Sequence, residues 1–302
     1  MGTGATAIAT AAYHAALEYA RTRKQGRLIS DKKAVDPVPI IAHADVKWML
    51  LFQRAVCEGS LALIMQCGLY EELIETVPRE QKERYKLLLE ILTPVAKTFP
   101  SEMAILSTSL SIQCFGGYGY CDDFPVEQHF RDTRIHPIHE GTTAVQGMDL
   151  LGRKVRMQNG RALTLLLDEV NQSLEEAKSN PSLHPHAMML ADGVNVVTKT
   201  TKALARMGSE YGEEAYLANA TVYLELFGFF VVGWVWLIQA MIAREHLSKD
   251  RLKKADIRFY EGKIKVQEYY FANELPKIYS LSRILTQSVP VTLTVEDDHF
   301  TV

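Results

Sequence analysis

The stretch LFGFFVVGWVWLIQAMIA, residues 226–243, contains eighteen consecutive side chains without a formal charge. Its length lies at the lower limit for a transmembrane helix, which needs about 17–25 apolar residues. Gln239 lies inside the stretch, Glu225 and Arg244 border it, and the sequence contains no second run of this kind. These features favour a helix buried on all sides at the centre of a helical protein, and we predict no membrane span.

The whole sequence has the length and composition of a folded protein. It contains 302 residues, of which 47% are hydrophobic and 23% are charged, and its formal net charge is −3. This length predicts two domains, because one domain commonly contains about 100–200 residues. The lack of a basic surplus disfavours a surface that coats nucleic acid, although a local basic site is compatible with it.

Cysteine usage and the N-terminal segment both favour a reducing compartment. No two cysteines form a C-x-x-C pair, and four cysteines in a sequence of this length are too few for a disulfide framework. The N-terminal residues MGTGATAIATAAYHAALEYARTRKQGR lack the charged start and the long leucine-rich core of a signal peptide. We therefore expect a helix at this end of the sequence, and a cytoplasmic protein.

Helical periodicity dominates the rest of the sequence. Apolar residues recur at three- and four-residue steps, whereas strict alternation with β-branched residues occurs only in residues 289–295. We predict an all-α protein of two helical bundles, with a kink or a restart at Pro94. The predicted helices cover residues 5–23, the segments after Asp45 and Pro78, and residues 101–114, 162–178, 187–207, 213–247 and 256–273, with an exposed loop at 27–41 and a linker at 179–186.

The pattern changes to turn residues, charges and aromatic residues after Gln113. Gly116, Gly117 and Gly119 follow a predicted helix, whereas the glycines of Rossmann and P-loop sites follow a strand. A dinucleotide site of that type is therefore not predicted. The glycines suit either the close approach of a ligand to the backbone or a helix C-cap followed by a tight turn.

A group of histidines further along the same segment raises the question of a metal site. His129, His136, His139 and Glu140 lie within twelve residues. Their spacing matches no helical zinc motif, and Pro137 prevents the continuous helix that such motifs require. We predict no metal site.

Glu140 stands just before a segment that should begin a new helix. A carboxylate in this position can point into a cleft and work as a general base. It can equally sit near the helix N-terminus and interact with the helix dipole. The residue pattern alone leaves both interpretations open.

The residues GGYGYCDDFPVEQHFRDTRIHPIHEGTTAVQ, numbers 116–146, resemble the signature region of the acyl-CoA dehydrogenases, which reads GGxGY, PVE, RD and I-Y-EGT-x-x-Q. YARTRKQGR, followed by HADVKWMLL, is similar to an earlier block of the same family. The resemblance implies that residues 1–155 form the family's C-terminal four-helix domain. Residues 156–302 are similar to the additional helical domain of longer bacterial members. The resemblance to the acyl-CoA dehydrogenases also implies an N-terminal helical domain and a middle β-domain that precede residue 1.

The resemblance further implies the chemistry of a flavin-dependent acyl-CoA dehydrogenase. Glu140 matches the base that removes the α-proton of an acyl-CoA thioester while a β-hydride passes to flavin N5. The other matched positions are FAD contacts in the family. Arg23 matches the arginine that binds the pyrophosphate, and Gln25 and His43 match neighbouring flavin contacts. Gln113, Gly116 and Gly117 match residues that touch the adenine-nucleotide half of FAD across a subunit interface, and Thr142 matches a contact to a flavin phosphate.

The same resemblance implies a homodimer with the flavin site at its interface, and electron-transfer flavoprotein or a similar electron acceptor as a partner. Two positions depart from the family pattern. His139 replaces the tyrosine expected before the base, and the phenylalanine expected between Gln25 and Gly26 is missing. Two alternatives stay open: an acyl-CoA oxidase with the same base and cofactor, and a helical oligomerisation or partner-binding module with a vestigial flavin site. The presence of Glu140 favours an enzyme.

Overall fold

The computed structural model describes residues 1–30, 35–287 and 289–301, and the protein is 81% helical. These residues contain no strand, and Lys24 and Pro39 form an isolated antiparallel bridge. The prediction of an all-α fold is confirmed. The described α-helices are α1 (Gly2–Thr22), α2 (Ala44–Thr76), α3 (Arg79–Phe115), α4 (Val126–Thr133), α5 (Thr143–Met148), α6 (Met157–Lys178), α7 (His184–Tyr211), α8 (Glu213–Leu217), α9 (Ala220–Leu247), α10 (Lys254–Asn273) and α11 (Lys277–Thr286).

Helices α1, α2 and α3 pack against one another, and α4 packs on α1 and α3. One face of α1 consists of small side chains that are completely buried. Because alanine side chains are short, this face lets α1 lie close to its neighbours. The alanines of this face are Ala5, Ala9, Ala12, Ala16 and Ala20.

Helix α3 continues without a break although Pro94 and Pro100 lie inside it. The prediction of a restart at Pro94, followed by a separate helix, is therefore wrong. Each proline removes one N–H from the helical ladder, and Pro100 leaves the carbonyl of Ala96 without its usual donor. Gly2 packs at this point, since a Cβ on Gly2 would overlap the Ala96 oxygen. Both prolines are buried, so packing around α3 outweighs their local cost.

Residues 226–243 form the middle of α9: residues 226–237 are all buried, as predicted, whereas Ile242 near the end of the stretch is 48% exposed. The indole Nε1 of Trp236 donates to the carbonyl of Ala55 on α2 at 3.2 Å, and the Tyr270 hydroxyl on α10 donates to the carbonyl of Phe229 at 3.0 Å. By length and composition, α2 and α9 could each cross a membrane, and 56% and 78% of their most apolar windows are buried. Such burial is typical of core helices.

One cluster of buried side chains extends across the predicted domain boundary between residues 155 and 156, and that boundary stays a prediction. Leu63 and Leu88 of α2 and α3 belong to the same cluster as Leu166 of α6 and Trp236 of α9. Polar contacts join the two parts as well. Lys263 of α10 pairs with Glu58 of α2, with 3.0 Å between Nζ and Oε2.

Several element boundaries differ from the prediction. The predicted helix 213–247 divides into α8 and α9, with Asn219 outside helical geometry, and α11 was not predicted. The predicted linker 179–186 consists of a turn at residues 179–183, in which Leu183 is buried, followed by the first three residues of α7. Residues 289–295 contain a short 3₁₀ turn. Part of the predicted loop 27–41, residues 31–34, lies outside the described residues.

Candidate functional site

A cavity of about 430 Å³ lies where α1 ends, α2 begins and α3 ends. The folded chain brings together five of the sequence-predicted site residues from three distant segments. They line this cavity, and Gly117 follows them directly in the sequence. The five are Arg23, Gln25, His43, Gln113 and Gly116. We call this region the α1–α3 cavity.

Arg23 is the C-cap residue that directly follows α1, and its guanidinium contacts two neighbours. Its Nη2 donates to Gln25 Oε1 at 3.3 Å, and its Cζ lies 5.6 Å from the centre of the Tyr118 ring. A planar guanidinium suits bidentate contact with phosphate oxygens. The arrangement therefore supplies a cation at the mouth of the cavity, held by an amide and an aromatic face.

His43 stands at the start of α2 and holds the backbone of the neighbouring segment. Its Nε2 lies 2.8 Å from the carbonyl oxygen of Gln25. Because a carbonyl oxygen only accepts, Nε2 is the donor in this contact. Gly26 has a φ of +68°, and a Cβ there would lie 3.3 Å from the His43 ring. A glycine at this position permits both the turn and the contact.

Gly116 ends α3 with a φ of +63°, and its N–H donates to the carbonyl of Gln113. It therefore acts as a C-cap, which was one interpretation of the glycine-rich segment. No described atom lies within 4 Å of the position of a Cβ on Gly116 or Gly117. The space beside both glycines is open, so the other interpretation, close approach of a ligand, is equally compatible with the geometry.

Glu140 lies elsewhere, in the turn between α4 and α5. It is exposed, has a φ of +55°, and lines a cavity of about 350 Å³ together with Met1, Gly2, Lys97 and Gln146. Within the described residues its backbone N–H makes no hydrogen bond. A free donor thus stands beside a carboxylate on the same residue.

Thr142 caps the helix that follows Glu140. Its Oγ1 accepts from the N–H of Val145 at 3.4 Å, and α5 begins at the next residue. The helix has only 6 residues, and Glu140 precedes its cap by two positions. The structure thus places Glu140 both beside a cavity and near a helix N-terminus, so neither interpretation of this residue is removed.

The turn that carries Glu140 is anchored to α3 by residues that the sequence pattern did not single out. Lys97 Nζ donates to the carbonyl oxygens of His136 at 2.9 Å and of Gly141 at 2.7 Å. The Thr143 hydroxyl donates to the Glu102 carboxylate. A sequence signal for Lys97 does exist, because it is a cation in the otherwise uncharged segment ILTPVAKTFPS, residues 91–101.

Two histidines belong to the turn that carries Glu140. The rings of His136 and His139 are 5.4 Å apart, edge to face, and His136 is buried. Burial lowers the pKa of His136, and the neighbouring His139 and Lys97 lower it further. In the part of the chain that the structure describes, no three His, Cys, Asp or Glu side chains group as metal ligands.

The two regions lie at opposite ends of α1. Met1 and Gly2 line the cavity beside Glu140, whereas Arg23 follows the last residue of the helix. A helix of 21 residues is about 31 Å long, at about 1.5 Å per residue. One copy of the chain therefore does not bring Glu140 and Thr142 to the α1–α3 cavity.

Two family sequence models match consecutive parts of the chain. "Acyl-CoA dehydrogenase, C-terminal domain" matches residues 1–155, and "Acetyl-CoA dehydrogenase C-terminal like" matches residues 166–295. The 3-methylmercaptopropionyl-CoA dehydrogenase of Ruegeria pomeroyi is 35% identical over 271 residues, which cover 89% of this chain and 45% of that protein. A butyryl-CoA dehydrogenase of Syntrophomonas wolfei is 28% identical over 302 residues, 99% of this chain and 49% of that protein. The chain spans about half the length of these relatives.

Solved structures with the same fold agree with these matches. An acyl-CoA dehydrogenase from Bacillus anthracis, complexed with FAD, superposes with a TM-score of 0.74 at 17% identity. The superposition covers 96% of this chain and 48% of the Bacillus anthracis protein. Caenorhabditis elegans ACDH-11, in complex with C11-CoA, gives a TM-score of 0.66 at 18% identity, with coverages of 94% and 45%. The chain belongs to the acyl-CoA dehydrogenase family and corresponds to the C-terminal helical domains of its members.

Proposed function

We propose that this chain is the C-terminal half of an FAD-dependent acyl-CoA dehydrogenase that introduces a double bond between the α and β carbons of an acyl-CoA thioester. The α1–α3 cavity carries the proposal. Five of the seven residues that the family resemblance assigns to FAD come from three distant segments of the sequence, and they line this one cavity. We expect the enzyme to work in the cytoplasm and to pass electrons to electron-transfer flavoprotein or a similar acceptor.

The residues around the α1–α3 cavity fit the nucleotide end of FAD. Arg23 offers a guanidinium for the pyrophosphate, and Gly116 and Gly117 leave open space where the backbone can approach a ligand. The volume of about 430 Å³ falls within the range of ligand sites, about 300–1,000 Å³. Bound FAD would supply the acceptor for the β-hydride. His43 would keep the Gln25 backbone in place.

Glu140 would accept the α-proton of the substrate. Its free backbone N–H would donate to the thioester carbonyl, where negative charge develops as the proton leaves. Glu140 is exposed in this chain, so the exclusion of water that strengthens such contacts would come from the other half of the enzyme. Carboxylate and donor would then act on adjacent atoms of one substrate.

We further propose that the working unit is a homodimer. Because α1 separates Glu140 from Arg23 by about 31 Å, the Glu140 of one chain would serve a flavin whose pyrophosphate binds Arg23 of the other chain. Each site would then contain residues from two copies.

The test replaces Glu140 by Gln in a full-length enzyme that carries this chain as its C-terminal half. The substitution keeps the shape of the side chain and removes the base, so we expect turnover to fall by about a thousandfold or more while FAD stays bound. Bleaching of a ferricenium acceptor by an acyl-CoA measures turnover, and the flavin absorption spectrum measures bound FAD. Glu127→Gln, in the same segment, is the matched control and should keep full turnover. Retained turnover in Glu140→Gln would contradict the proposal.

The same assay separates the remaining alternatives. An oxidase would consume oxygen with the acyl-CoA, and a vestigial module would show no flavin spectrum and no turnover in the unmodified enzyme. Acyl-chain length is best determined with a series of acyl-CoA substrates, since the other half of the enzyme would complete the substrate pocket.

A further inference from the structure

Lys97 is a buried cation that the proposed mechanism does not use. Only 9% of its surface is exposed, and burial lowers the pKa of its ammonium group while the nearby Glu102 opposes this effect. A charged group in such surroundings is costly unless hydrogen bonds compensate it. The buried ammonium group of Lys97 therefore needs hydrogen-bond acceptors close to it.

The two hydrogen bonds of Lys97 bracket the turn of Glu140. Its Nζ donates to the carbonyl of His136, four residues before Glu140, and to that of Gly141, the next residue. One ammonium group thus ties both sides of the turn to α3. The carbonyls are main-chain atoms, so the contact acts on the path of the backbone rather than on a particular side chain.

The backbone in this turn needs a restraint. Glu140 has a φ of +55° and Gly141 a φ of +88°, both in the left-handed region. For a residue with a Cβ this conformation costs free energy and persists only where the surroundings impose it. Lys97 supplies such a constraint at the residue that carries the carboxylate.

Glu102 anchors the other end of the turn to the same helix. It accepts from the hydroxyl of Thr143, the first residue of α5, and the Thr143 N–H donates to the carbonyl of Pro137 at 3.1 Å. Lys97 and Glu102 are five residues apart on α3. The segment from His136 to Thr143 is therefore fixed to one rigid element at both ends.

We propose that Lys97 is a positioning residue for Glu140: its ammonium group fixes the turn so that the carboxylate and the adjacent backbone N–H face one substrate together. The inference rests on the proposed function of Glu140. The restraint on the turn itself is a separate claim, which can be measured without catalysis.

The first test uses this chain alone. Lys97→Met keeps the length of the side chain and removes the ammonium group, Lys97→Arg keeps the charge, and Lys86→Met on the exposed side of the same helix is the control. We expect the amide protons of His139 and Thr143, which donate within the turn, to exchange at least about tenfold faster in Lys97→Met. Those of α9 should keep their rates, and Lys97→Arg should restore protection. Unchanged exchange in Lys97→Met would overturn the restraint.

The second test uses the full-length enzyme. Misplacing a catalytic group by about 1 Å costs about a hundredfold in rate, so kcat should fall by this order in Lys97→Met, with KM and bound FAD unchanged and partial recovery in Lys97→Arg. A change confined to KM or to FAD content, or an unchanged kcat, would overturn the positioning role. Turnover in Glu140→Gln together with fast exchange in Lys97→Met would defeat the proposed function and leave the restraint standing.

A measurement on the unmodified chain covers the case in which Lys97→Met does not fold. Ammonium protons held by two carbonyls exchange slowly enough to be seen by nitrogen-15 NMR, with couplings across the hydrogen bonds to the carbonyl carbons of His136 and Gly141. Loss of this resonance in Lys97→Arg identifies it. If no protected lysine ammonium resonance exists, the restraint is refuted.

Discussion

His186 lies in the first turn of α7 with its ring 5.2 Å from that of Phe271, edge to face. Burial lowers the pKa of His186, Arg244 lowers it further, and Glu268 opposes both. The unfolded chain has the ordinary histidine pKa of about 6.5, so below that pH the unfolded state binds the proton first. The contribution of His186 to stability is therefore complete above about pH 6.5 and decreases as the pH falls.

We expect the melting temperature to fall between about pH 7.5 and pH 5.5, and to fall less in His186→Gln. His184→Gln is the control, since His184 is exposed in the same helical turn. It should follow the unmodified chain. Equal slopes in the chain and in His186→Gln, measured by thermal unfolding across this range, would show that His186 does not contribute. His136, whose pKa burial also lowers, would account for the slope that remains.

Single residues of the site differed in how far the sequence could predict them. Arg23 and Glu140 belong to contiguous motifs, so a resemblance over a short segment was enough to select them. Lys97 and Glu102 touch the Glu140 turn only because α3 passes beneath it, 43 and 38 residues earlier in the sequence. No local pattern encodes that contact. The exposure of Glu140 is likewise set by how the helices pack, which a local pattern does not contain.

At the level of elements, periodicity predicted most helices, since a buried face repeats every three or four residues. It failed at Pro94, because the local cost of a proline is known from the sequence whereas the packing that offsets it is not. It also failed to divide α8 from α9, where Asn219 leaves helical geometry between two apolar segments. The spacing of apolar residues predicts the buried face of a helix, but it does not identify the helix that packs against that face.

The contact between α5 and α9 depends on Gly147. A Cβ at this position would lie 2.8 Å from the carbonyl carbon and oxygen of Ala220, at the start of α9. Because backbone atoms cannot move aside easily, Gly147→Ala should force the helices apart and lower the free energy of unfolding by about 1–3 kcal/mol. Denaturant unfolding measures this change.

Gly68→Ala is the matched control for Gly147→Ala. Gly68 lies in α2 with no described atom within 4 Å of a Cβ, so alanine should raise the free energy of unfolding by about 0.5–1 kcal/mol. The two substitutions add the same methyl group and should change stability in opposite directions. Equal effects would mean that helix propensity, and not the contact with Ala220, decides the outcome at Gly147.

At the scale of the whole molecule, the surface around the α1–α3 cavity has the features of an assembly surface. Tyr118 and Tyr120 directly follow the glycines of this cavity and are 51% and 89% exposed. Large exposed aromatic side chains near a site are typical of protein interfaces. We therefore expect this chain alone to form a dimer. Under the proposed function, this chain alone should bind FAD weakly, since the other half of the proposed enzyme would contribute to the flavin site.

Sedimentation velocity checks the dimer directly. The main species should have twice the chain mass of 34.0 kDa, and Tyr120→Asp should shift it toward the monomer. Tyr211→Asp, at a residue that is 55% exposed at the end of α7, is the control and should leave the dimer intact. A single 34.0 kDa species in the unmodified chain would contradict the expectation.

The shared core also limits how the two parts of such a protein can be exchanged during evolution. The two family sequence models meet between residues 155 and 166, yet the buried cluster joins α2 and α3 to α6 and α9 across that point. If recombination exchanged the second part alone between relatives, the incoming side chains of α6 and α9 would pack against an unchanged face of α2 and α3. The mismatch would leave cavities or clashes that cost about 1–5 kcal/mol each. Selection should therefore keep both parts together as one heritable unit, with the face of α2 and α3 evolving in step with α9.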